Sequence, residues 1–165
     1  MRTLILMRHA KAEPPAIGQR DHDRGLTERG RRSAVALGDW LRAGGHLPDA
    51  ALVSSAQRTR QTWDGLALEG DTPVTFLDTL YNAVPASYMT LLAAKEQPII
   101  LAIGHNPAFA ALASHVLRGT DLPANLARFP TGATIVAQWD ADDWEAALAT
   151  PATLKAWTIP RTLTD

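Results

Sequence analysis

The chain has 165 residues, 46% hydrophobic and 20% charged, which suits one soluble domain with its own core and not two. Lysine and arginine number 16 against 17 aspartates and glutamates, a formal charge of −1, so no overall basic field invites nucleic acid or anionic lipid. There is no cysteine, which excludes disulfides, thiolate nucleophiles and cysteine-ligated zinc or iron–sulfur centres.

In chain order, Leu4–Met7 reads as a short buried strand that stops at Arg8. Thr27 offers a cap for a helix over Glu28–Ala43, with Ala34, Leu37, Trp40 and Leu41 on one face and Gly44-Gly45 closing it. Ala50–Val53 reads as a second strand. A helix from Ala56 to Leu68 follows, with Trp63, Leu66 and Ala67 inward. Val74–Phe76 is a third strand. Pro85 opens a helix with the stripe Tyr88, Leu91 and Leu92. Pro98–Ile103 is a fully apolar strand, and Gly104-His105-Asn106-Pro107 turns into a helix whose Phe109, Leu112, Ala113, Val116 and Leu117 follow helical spacing. Ala133–Trp139 and Leu154–Ile159 read as closing strands.

Strands alternating with helices predict one α/β domain over residues 1–165: three layers, a mainly parallel sheet and helices on both faces. The run Thr3–Met7 is shorter than the roughly 7–15 residues of a signal-peptide core. The stretch Ile99–Gly104 falls far below the roughly 18–20 residues of a membrane helix, so the expectation is a cytoplasmic protein with no membrane partner. Ligands of parallel sheets sit beyond the carboxyl ends of the strands. Those ends carry Arg8-His9, Ser54-Ser55 leading to Arg58, and Gly104-His105.

Arginines around histidines suit a dianionic phosphoryl group, because the guanidinium fork binds its oxygens bidentately and keeps its charge. A neutral imidazole can take phosphorus as a covalent phosphohistidine. A second histidine, with backbone N–H groups at the start of the helix after Pro107, could steady the equatorial oxygens.

These residues also resemble a known family. Leu6-Met7-Arg8-His9-Ala10 resembles the Arg-His-Gly motif of the histidine phosphatase superfamily, the phosphoglycerate mutase-like fold, with Ala10 in place of the usual glycine. Asp21 to Gly30 resembles the Asp-x-x-Arg-Pro-Leu-Thr-x-x-Gly segment of the small SixA-like phosphohistidine phosphatases, and Val53 to Thr62 their Val-Ser-x-x-x-Arg-x-x-Gln-Thr element. Gly104-His105-Asn106-Pro107 is similar to their second-histidine motif, and Phe129-Pro130-Thr131-Gly132-Ala133 to a late turn. The resemblance implies His9 as nucleophile, Arg8 and Arg58 as phosphoryl clamps, and His105 as a donor to the same group. Arg24 and Asn106 would contact substrate. It implies no metal or other cofactor, and a partner that is a phosphorylated protein histidine, a phosphorelay component being one candidate.

Larger members place a carboxylic acid after the third strand to protonate the leaving oxygen. Here that segment reads Leu77-Asp78-Thr79-Leu80-Tyr81-Asn82-Ala83, without the expected glutamate. Asp78, Asp21 and Asp23 remain candidates. An alkoxide needs that proton whereas an imidazole leaves easily, so the gap favours phosphohistidine over alkyl phosphates. The alternatives are a general small-molecule phosphomonoesterase and a phosphate- or phosphohistidine-binding module without turnover. A metal site on Asp21-His22-Asp23 is disfavoured, because three adjacent loop residues point in alternating directions. Ser54 and Ser55 read as hydrogen-bonding turn residues, and Trp40 and Trp63 as core. His46, His115, Arg29, Arg31, Arg32 and Arg60 read as surface. The tryptophans are not interleaved with basic residues, which argues against a nucleic-acid stacking platform.

Overall fold

Leu4, Ile5, Leu6 and Met7 are all closed to solvent, which requires a central strand covered on both faces. The computed structural model describes residues 1–164. The four residues belong to β1 (Arg2–Arg8), which lies between a parallel β4 (Ile99–Gly104) and an antiparallel β5 (Thr134–Trp139). Outward on one side come β2 (Ala50–Ser54) and β3 (Val74–Leu77), both parallel; on the other, β6 (Thr153–Thr158) pairs antiparallel with β5. The sheet order is β3-β2-β4-β1-β5-β6.

Alternation along the strands divides the core in two. Leu4, Leu6, Leu52, Ile100 and Ala102 face α3 (Pro85–Ala93), α4 (Ala108–Val116) and α6 (Trp144–Leu148) through Leu92, Phe109, Leu112, Val116 and Trp144. Ile5, Met7, Ala51, Val53, Leu101 and Ile103 face α1 (Glu28–Ala43) and α2 (Gln57–Leu66) through Leu37, Leu41 and Leu66. Two short helices, α5 (Ala124–Ala127) and α7 (Arg161–Thr164), follow later in the chain. The expected three-layer α/β domain is thus the observed one. Among the described residues no helix is long and apolar enough to cross a membrane.

Thr27 caps α1, its hydroxyl accepting from the Gly30 amide at 2.9 Å. The helix after β2 ends earlier than its apolar pattern predicts. Ala67 takes a left-handed conformation (φ 46°) and is exposed, not inward. Arg42 of α1 stops it by donating to the Leu66 and Ala67 carbonyls. Trp40 and Trp63 are only half-buried, whereas Trp139 and Trp144 form an edge-to-face pair inside the core. His46 is half-buried beside Trp40 rather than free in its loop. Arg60 is likewise partly covered, stacked over Phe76 and bonded to the Ser55 carbonyl.

Candidate active site

β1 and β4 lie side by side, but the chain leaves β1 toward α1 on one face and β4 toward α4 on the other. That divergence opens a crevice at their carboxyl ends. His9 and His105 stand on either side of it, ring centroids 5.3 Å apart. Arg8, His9, Arg24, Arg58, His105 and Asn106, the six expected site residues, all line one cavity of about 670 Å³.

The backbone around His9 is held from three directions. Its amide donates to the Gly104 carbonyl of β4, and its carbonyl accepts from Gly132, which sits at φ 75° in the late turn. The next amide, Ala10, donates to the Thr62 hydroxyl, which itself donates to the Arg58 carbonyl one turn back. Thr62 therefore ties the helix that carries Arg58 to the segment that carries His9.

His9 Nδ1 lies 2.7 Å from the Ala10 carbonyl. A carbonyl only accepts, so Nδ1 carries the proton and Nε2 keeps its lone pair. Burial (His9 is 6% exposed) lowers the imidazole to about 3, with Arg8, Arg58 and Arg24 adding to the effect. The ring is neutral at physiological pH. His105 is also lowered to about 3, by burial first and then by His9 and Arg58. Its Nε2 is 2.7 Å from the Ser54 hydroxyl at the end of β2.

Arg8 donates to the Phe129 carbonyl at 3.3 Å, and burial together with neighbouring Arg58 lowers its pKa. Phe129 is buried in a left-handed conformation (φ 49°), which turns its carbonyl toward Arg8 and toward the Asn106 amide at 2.9 Å. Among the described residues four buried side-chain polar atoms have no partner, and three belong to this cavity: Arg8 Nε, Arg58 Nε and His105 Nδ1. Unsatisfied buried polar atoms are costly, and three of them on residues that line one cavity, two on guanidinium groups, mark a place for an anionic ligand.

Asp21 holds the mouth of Arg58. Its carbonyl and Oδ2 accept from Arg58 at 2.9 and 3.1 Å, Oδ1 accepts from Arg24 at 2.9 Å, and the Tyr81 hydroxyl donates to Oδ2. The Tyr81 bond, with the arginines behind it, lowers the Asp21 carboxyl to about 2.

The comparisons with known proteins agree with this geometry. A sequence model of the histidine phosphatase superfamily (branch 1) matches residues 4–84. A Mycobacterium tuberculosis protein, itself uncharacterised, is 41% identical over 120 residues, spanning 70% of this chain and 73% of its own. A candidate phosphohistidine phosphatase SixA from Nakamurella multipartitia superposes with a TM-score of 0.83 at 32% identity, covering 96% of each chain. A second, from Agrobacterium tumefaciens, gives 0.81 at 30% identity over 96% of this chain and 98% of that one. The chain belongs to the histidine phosphatase superfamily. Within it the chain is SixA-like, sharing the phosphoglycerate mutase-like fold.

Several expectations for this superfamily site change in the structure. The α4 amides do not face the cavity as free donors: Phe109, Ala110 and Ala111 bond to the His105 carbonyl, Asn106 Oδ1 and the Pro107 carbonyl. Asn106 spends its whole amide on backbone, so it shapes the cavity wall as well as lining it. Of the candidate acids, Asp78 is exposed at the start of a short turn, Asp23 pairs with Arg20, and Asp21 is already ionised. Among the described residues no carboxylate lines the cavity. The Asp21, His22 and Asp23 side chains diverge: Asp21 accepts from Arg58, His22 meets the Ser55 hydroxyl, and Asp23 accepts from Arg20. Arg29, expected on a solvated helix face, is exposed there and also lines the cavity. Tyr81, Thr62 and Phe129 had no role from sequence; Thr62 and Phe129 stood within the motifs that resemble the family, and Thr62 lies one helical turn from Arg58.

Proposed function

We propose that this chain is a metal-independent phosphatase of the cytoplasm that dephosphorylates protein phosphohistidine, a phosphorelay component being one candidate partner, through a phosphoryl intermediate on His9. The observation that carries the reading is the His9 Nδ1–Ala10 bond, which leaves Nε2 unprotonated in a cavity of unsatisfied cationic donors. In the first step the Nε2 lone pair forms the bond to phosphorus and the P–N bond of the substrate breaks. The electron pair returns to the departing imidazole, which leaves as a neutral ring because its other nitrogen bears a proton. Arg8, Arg58 and His105 would hold the equatorial oxygens, with Arg24 beside them and Asn106 fixing the wall. In the second step water attacks phosphorus, His9 departs neutral with its Nδ1 proton in place, and phosphate carries the charge away.

That no carboxylate among the described residues lines the cavity supports the choice of substrate. An alkoxide must be protonated as it leaves, an imidazole need not be. The SixA names of the structural neighbours point the same way. The test is phosphate release from a phosphohistidine peptide, in excess chelator, by the native chain and His9→Ala. Release that disappears in the variant, and activity on phosphohistidine and aryl phosphates far above that on sugar phosphates, is the expected result. Comparable rates on sugar phosphates would favour a general phosphomonoesterase. Binding without release would favour a module that only recognises the group.

A further inference from the structure

The cavity holds more positive charge than one phosphoryl group uses. Arg8, Arg24 and Arg58 surround His9 at its buried end. Four more cations, Lys11, Arg29, Arg128 and Arg161, line the same cavity and are exposed at its mouth. They come from four separate segments: the loop after β1, the first turn of α1, the residue after α5, and the start of α7. The whole chain is nearly neutral at −1, yet these seven of its 16 lysines and arginines, of which Arg24 and Arg58 pair with Asp21, meet in one cavity that no described carboxylate lines.

The mouth is also fixed in place. The Lys11 carbonyl accepts from the Thr27 amide and hydroxyl, and Gly30 lies so close to it that an added Cβ would stand 2.1 Å away. The Arg128 carbonyl accepts from the Asn106 amide at 3.3 Å, and Pro130 and Pro160 brace the wall between Arg128 and Arg161. Among the described residues Lys11, Arg128 and Arg161 form no ion pair, so no described carboxylate compensates their charges at the cavity. Gathering like charges costs free energy that a bound anion recovers. A dianionic phosphoryl is already matched by Arg8 and Arg58 at the buried end.

We propose that the mouth is a second anion subsite, formed by Lys11, Arg128 and Arg161 with Arg29 beside them, and that the substrate carries a further phosphate or carboxylate on its leaving portion. This deepens the phosphatase reading and rests on it for the orientation of substrate, the transferred group toward His9 and the second anion toward Arg161. The second anion can belong to acidic residues flanking a phosphohistidine or to a second phosphate on a small molecule.

Calorimetric titration at low salt separates these. The probes are methylphosphonate, alkane bisphosphonates with one, three and five methylene spacers, and peptides bearing a phosphonate analogue of phosphohistidine flanked by glutamate or by glutamine. The native chain is compared with Arg128→Gln/Arg161→Gln, whose melting temperature checks the fold. At least one dianionic pair, bisphosphonate over methylphosphonate or glutamate over glutamine peptide, should show a tenfold or greater gain in affinity. That ratio should collapse in the double variant and shrink in 0.5 M salt. A gain confined to the peptides assigns the anion to a protein partner, and one confined to the bisphosphonates to a small molecule. No gain in either series, or a gain untouched by the double variant, overturns the subsite. Binding does not require turnover. A chain that gains affinity but is never phosphorylated on His9 by an aryl phosphate would refute the phosphatase reading and leave the subsite standing.

Discussion

His9 and His105 are both held at about 3, well below the ordinary imidazole value of about 6.5. In an unfolded chain each takes up a proton as pH falls below that ordinary value, while the folded site refuses it. Stability is therefore full above pH 6.5 and is lost progressively as pH drops toward 3. Urea midpoints should fall between pH 7 and pH 5 by an amount equivalent to about 1–2 kcal/mol per histidine, and less steeply in His9→Gln. A native chain whose midpoint is flat over that range would contradict the buried, neutral assignment. For the same reason the first-step rate with an aryl phosphate should show no acid limb near pH 6.5. At this scale Ser54 is a positioning residue: it is closed to solvent and its hydroxyl meets His105 Nε2. Ser54→Ala should lower kcat about tenfold with little change in KM and a stability cost of about 1 kcal/mol. Unchanged kcat would show that His105 keeps its orientation without that bond.

Among the elements, α1 and α2 meet at Gly38, where a Cβ would stand 2.1 Å from the Leu66 carbonyl. Gly38→Ala must push the two helices apart, an overpacking change that costs about 1–3 kcal/mol. Thermal denaturation should show the loss, and an unchanged melting temperature would mean that the two helices absorb the extra methyl without separating. This contact also explains what the sequence could and could not reveal. Leu4–Met7 and Ile99–Ile103 read as strands because they are apolar throughout, and α1 because Thr27 and Gly44-Gly45 punctuate it. The gathering of Arg8, His9, Arg58 and His105 at the strand ends follows from the parallel-sheet rule, whereas Arg24 and Asn106 were legible only through the family resemblance. Ala67 misled, since its apolar side chain says nothing of the left-handed turn that Arg42 stabilises across the helix pair. The cations at the mouth were equally hidden. Arg29, Arg128 and Arg161 look like any solvated arginine until the tertiary structure places them on one cavity. Asp21 looked like a proton donor until Tyr81, Arg24 and Arg58 were seen around it.

For the molecule as a whole, the position of β1 governs the order in which the fold can be assembled. The strand that leads into His9 is made before both its neighbours, β4 at Ile99–Gly104 and β5 at Thr134–Trp139. Pairings so distant along the chain close slowly, because a long loop must be ordered before they form. During synthesis an intensely apolar strand therefore waits unpaired while most of the protein is still being added, a state prone to association. Nascent chains stalled with residues through Pro130 outside the ribosome should remain open to protease, and those extended through Ile159 should resist it. Resistance already at Pro130 would mean that β5 is dispensable for closing the sheet around β1. The proposed nucleophile thus follows a strand that stays without either of its partners until most of the sheet has been made.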